Sequence, residues 1–101
     1  MQSEVIHQYF IFLACPEIDI DYYGNDLRHI PNIPDWQTCA RMCKEESGCS
    51  HWTWITPDYA NGHHLKCMVK KGGSGRKELP GLISGVSTCQ GKSFIVIKQT
   101  S

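Results

Sequence analysis

The sequence carries no excess of charge of either sign. Ten Lys and Arg stand against ten Asp and Glu, for a formal net charge of +0. A chain so balanced raises no long-range field to gather a polyanion, which argues against nucleic acid as a partner and leaves anion binding to local patches. Long hydrophobic runs are also missing. The apolar run at residues 9–14 is six residues long, too short to insert into a membrane, and it lacks the basic start of a signal peptide. Met1 is followed by no recognisable export signal, so we expect an excised piece of a longer secreted protein. There is no internal repeat, no Ser-centred elbow and no paired-carboxylate motif, so neither an enzyme nor a cofactor is expected. Finally, 101 residues leave room for one modest core and no second domain.

What the chain does have is cysteine. Six in so short a sequence is an even count, and a domain that buries little apolar surface gains most from cross-links in an oxidising, extracytosolic setting. Six cysteines allow about 15 pairings, and counting alone selects none. Cys39 and Cys43 are four apart in a helical stretch and share a face. Each can staple that face to a neighbouring segment, one to Cys49 and one to Cys67, which leaves Cys15 and Cys89 to each other. Zinc is the competing use, with His51 and His64 near Cys43, Cys49 and Cys67. It is the weaker reading, since a mid-helix Cys-x-x-x-Cys is not the usual zinc spacing and Cys15 and Cys89 would be orphaned.

The rest of the chain divides readily. Residues 1–14 form an N-terminal flank, and 4–14 within it have strand composition. Ile18-Asp19-Ile20-Asp21-Tyr22 alternates apolar with acidic, which predicts a strand with Asp19 and Asp21 on one solvated face, followed by a turn at Gly24-Asn25-Asp26. Pro31 and Pro34 precede Asp35, the expected N-cap of a helix over 36–46 that Gly48 terminates. Residues 50–56 and 66–70 have strand composition and are joined through Pro57 and Asn61-Gly62, a central hairpin. Residues 72–85 hold five glycines and read as a mobile loop, and 90–101 as a C-terminal strand and tail with the strand at 94–98.

Several of these segments resemble the PAN/apple family: Cys15, YYGNDL at 22–27, DWQTCARMCKEESGC at 35–49, HWTW at 51–54, KCMVK at 66–70 and SGVSTC at 84–89. The GND step after the first strand and the SG step before the last cysteine look closest to apple modules of apicomplexan, coccidian microneme adhesins. The resemblance implies an α+β fold over residues 15–89, with an antiparallel or mixed sheet cradling one helix. It also implies three disulfides: Cys39 to Cys67, Cys43 to Cys49 and Cys15 to Cys89. By the same resemblance the protein would be secreted, through a microneme organelle in the closest relatives. Its role would be adhesion as one module of a multi-domain protein, monomeric in isolation, with a host-cell glycan, a glycoprotein or another adhesin subunit as partner.

Three groups of residues are candidates for recognition. Trp54, Tyr59, His63, His64, Lys66 and Lys70 bring aromatic faces and hydrogen-bond donors to the central hairpin, a surface suited to a sugar, and galactose-type sugars are what the resemblance suggests. Trp52 and Trp36 are assigned to packing instead. The basic stretch Lys66, Lys70, Lys71, Arg76 and Lys77 offers a docking place for a heparin-like glycan, although a solubilising loop explains it as well. Phe10, Phe12, Phe94 and Ile97 could pair edge-on with another protein module, although pairing with each other inside the fold is simpler.

Overall fold

A computed structural model describes residues 15–90. The strands expected at 4–14 and 94–98, and with them Phe10, Phe12, Phe94 and Ile97, lie outside the described residues. The elements run β1 (Glu17–Tyr22), β2 (Asp26–Ile30), α1 (Trp36–Glu45), β3 (His51–Ile55), β4 (Cys67–Lys70) and β5 (Arg76–Val86). The five strands form one sheet in the order β1-β5-β3-β4-β2, and every pairing is antiparallel.

Helix α1 starts where Asp35, in extended backbone, accepts from the Thr38 amide at 2.8 Å and its hydroxyl at 2.6 Å, so an otherwise orphaned N–H is satisfied. Cys39, Ala40 and Cys43 make its buried stripe. That stripe packs on Trp52 and Trp54 of β3 and on Cys67 and Val69 of β4, with Ile33 closing the side. Disulfides join Cys39 to Cys67 and Cys43 to Cys49, so the helix is bolted to the sheet at one end and to its own exit loop at the other. The third joins Cys15 to Cys89. These are the pairs that the resemblance implies.

Two expectations change. Residues 72–85 are not a mobile loop: β5, 11 residues long, occupies most of them and pairs with both β1 and β3. The glycines serve close approach. A Cβ on Gly85 would lie 2.6 Å from the Trp52 ring, and one on Gly81, at φ +94, would lie 2.8 Å from the Tyr59 backbone. The expected solvated face of β1 is also broken. Asp19 takes φ 60 and the register slips between Ile18 and Ile20, which leaves Ile18 exposed while Ile20, Asp21 and Tyr22 are all buried. Beyond the turn, the chain from Asp26 forms β2, an edge strand nearly all exposed and held by its pairing with β4.

One connection shapes the sheet. β1 and β2 are its two opposite edges, yet three residues, 23–25, join them. Five strands laid flat would put those edges roughly 19 Å apart, whereas four Cα steps reach about 15 Å at most. The sheet must therefore curl at that end. Tyr23 donates to the Gly75 carbonyl at 3.1 Å and Lys71 to the Asn25 carbonyl at 2.9 Å, which fixes the link across the curl. The concave face so formed is the one opposite the helix.

Candidate functional site

Since Trp52 and Trp54 face the helix, the pleat turns His51, Thr53 and Ile55 to the other side. On that side the curled sheet holds a groove of about 550 Å³. Ile55, Met68 and Leu82 give it an apolar floor. Its far wall is a bulge of β5: between its pairings at Glu78 and Ile83 the strand leaves the β1 ladder over residues 79–82, where the Gly81 amide donates to Asp19 Oδ1 at 3.0 Å and Pro80 has no N–H to lose. Tyr59 packs against that bulge at Gly81, with His63 and Lys66 beside it. The near end is the 23–25 link, with Tyr23, Asp26, Lys70, Lys77 and Asp21.

Charge at the near end is tightly organised. Lys70 is 2% exposed, donates to the Gly24 carbonyl at 3.2 Å and forms a short ion pair with Asp26, which also meets His29 Nε2 at 2.7 Å. Lys77 lies over the Tyr23 ring at 4.8 Å. Asp21, the cross-strand partner of Lys77, is 6% exposed, and its Oδ1 is buried without a hydrogen-bond partner among the described residues. Just behind, Tyr22 donates to Glu17, and burial followed by that carboxylate pushes its phenol up from the ordinary value. Thr53, Ser84 and the Ile20 carbonyl form a buried hydroxyl relay from β3 through β5 to β1, at 2.7 and 2.6 Å.

The groove gathers Tyr59, His63, Lys66 and Lys70 from the hairpin candidates, and leaves two of them out. Trp54 belongs to the core: it is 7% exposed and its indole donates to the Ile33 carbonyl at 2.8 Å, so it offers a ligand nothing. His64 turns back to the Tyr59 carbonyl, 2.8 Å away. Trp52 is fully buried and Trp36 stacks on it with ring centroids 5.7 Å apart. The five basic residues do not form one patch. Lys70 is buried in its ion pair, Arg76 holds Glu17 through two contacts at 2.9 and 2.7 Å, and Lys77 covers Tyr23, while Lys71 is exposed. Asp21 and Lys77 reach the groove from β1 and β5, where the sequence predicts a solvated strand face and a loop.

All six cysteines are spent in disulfides, which removes the thiolates that the zinc reading needs. Among the described residues no group of three or more His, Cys, Asp or Glu side chains is placed to hold a metal, and no helix is long and apolar enough to cross a membrane.

A family model for the PAN domain matches residues 20–70, half of the chain. The chain belongs to the PAN domain family. The matched span of this PAN domain runs from Ile20 in β1 to Lys70 at the end of β4, so it contains the helix and the two disulfides that clamp it, with β5 and the Cys15–Cys89 bridge beyond it. A search of curated proteins gives no match. PAN domains are typically interaction modules without catalytic activity, and three disulfides with this fold point to an extracellular, secreted setting.

Proposed function

We propose that this PAN domain is an adhesion or recognition module of a secreted multi-domain protein and binds a host-cell carbohydrate in the groove opposite its helix. The observation that carries the reading is the groove's make-up: an apolar floor, the Tyr59 ring on its wall, and the donors Lys66 and His63 beside it. An aromatic ring suits the C–H face of a pyranose, and few directed hydrogen bonds then select among its hydroxyls. Kinship with the apple modules of apicomplexan microneme adhesins, resting on the GND and SG steps, would place the parent protein in host-cell attachment, where repeated weak modules gain by avidity. The test is an NMR titration with galactosides and with heparin fragments. We expect galactoside-dependent shifts in the amides of residues 55–68, and a titration that leaves them still would sink the proposal. Heparin is the less favoured ligand, since four of the five cations proposed for it already have partners of their own.

A second reading has its own support. Ile18 and Leu27, on the two edge strands, and Tyr23 between those strands are 60%, 37% and 69% exposed. Edges left open among the described residues, with apolar side chains, suit assembly with another adhesin subunit or a protein ligand. A pull-down run beside a glycan array separates the two classes of partner.

A further inference from the structure

Within the groove, one buried side-chain atom has no hydrogen-bond partner among the described residues. Asp21 lines the groove, is 6% exposed, and its Oδ1 meets no donor among the described residues. Holding a carboxylate that deep without a donor is unfavourable, and the residues around it do not relieve it. Lys70 is engaged by Asp26 and the Gly24 carbonyl, and Lys77 by the face of Tyr23.

The geometry points to Asp21 as the residue that takes a ligand's hydroxyl donors and makes the groove prefer uncharged sugars to sulfated or acidic ones. The inference rests on the groove being the binding site. Asp21 lines the groove, so a donor arriving from it can meet the carboxylate without backbone movement. The hydrogen bond it makes is charge-assisted and has no native competitor to displace. With Lys70 and Lys77 already engaged, the near end asks for a group that donates. A sugar hydroxyl does so. A sulfate or carboxylate only accepts, and would bring negative charge against a buried one.

Asp21→Asn keeps the side chain's shape and removes its charge. Methyl glycosides of galactose, glucose and mannose, titrated separately and followed by amide shifts, are expected to include one that binds the groove of the wild type and binds Asp21→Asn about tenfold more weakly, the scale of one charge-assisted hydrogen bond. A heparin disaccharide is expected to leave the wild-type groove unshifted. Because Oδ1 has no native partner to lose, the thermal midpoint of Asp21→Asn should equal or exceed that of the wild type. Equal glycoside affinity in both proteins would overturn the role of Asp21 and leave the groove reading standing. Tighter binding of heparin than of any glycoside, or a lowered midpoint for the variant, would overturn it as well. If no glycoside shifts the groove, the proposed function falls and this inference with it.

Discussion

His51 opens β3 in a half-buried position, with the Tyr22 ring centroid 4.7 Å from its own, Ser50 Oγ 2.8 Å from Nδ1, and the backbone of Gly73 so near that a Cβ there would lie 2.3 Å from Nε2. Burial holds its pKa below the ordinary histidine value, and the nearby Glu17 charge pulls the other way without prevailing. The folded imidazole therefore resists a proton that the unfolded one accepts below about pH 6.5. In that range the unfolded state binds more protons, so this contribution is intact above the unfolded pKa and is lost as pH falls below it. We predict a thermal midpoint that declines from pH 7.5 to 5.5 in the wild type, and declines less in His51→Gln. Parallel curves for the two proteins would show that His51 is not the group responsible. Asp35 has its pKa lowered by the Thr38 hydroxyl and amide, and contributes in the same sense at more acidic pH.

Among the elements, β5 depends most on having no side chain at one place. Trp52 cannot retreat from a methyl group on Gly85: it is fully buried, stacked on Trp36, and its indole N–H is bonded to the Val86 carbonyl at 3.1 Å. Gly85→Ala is expected to destabilise by about 1–3 kcal/mol, as overpacking does. A lowered urea midpoint at unchanged slope would report it, and an unchanged midpoint would mean that the tryptophan is not so confined. The same glycine shows why β5 was illegible. Flexibility and close approach both select Gly, and only the partner strand and the ring across from it tell them apart. β2 was hidden for a related reason, since it exists by pairing with β4 and has no buried face to leave a period in the sequence. Helix α1 was readable because its signals are local, a capping aspartate three residues before Thr38 and cysteines one turn apart. The groove was half readable. Tyr59, His63 and Lys66 are neighbours along one connection, whereas Asp21 and Lys77 meet only through β1–β5 pairing, and the irregularity at Asp19 breaks the alternation that made Asp21 look solvated.

At the scale of the whole molecule, the disulfides differ in what they hold. Chain entropy alone favours the widest loop, giving about 4.5 kcal/mol for Cys15–Cys89 against about 3.5 for Cys39–Cys67 and about 2.5 for Cys43–Cys49. Nested loops do not add, but even part of that is comparable with the stability of a small domain. The widest bridge also has a mechanical side. Its two Cα atoms are 5.5 Å apart while 74 positions of chain separate them, so the described chain enters and leaves at one point. Tension applied through the flanking chain runs across a covalent bond and bypasses the hydrogen-bonded sheet. A pulling experiment on the oxidised protein is predicted to show no release of the 74-position loop, and an added extension of roughly 260 Å once all three bridges are reduced. Release under oxidising conditions would contradict it. A module attached this way hangs beside its tether like a pendant, and its groove keeps its shape while the tether is under load.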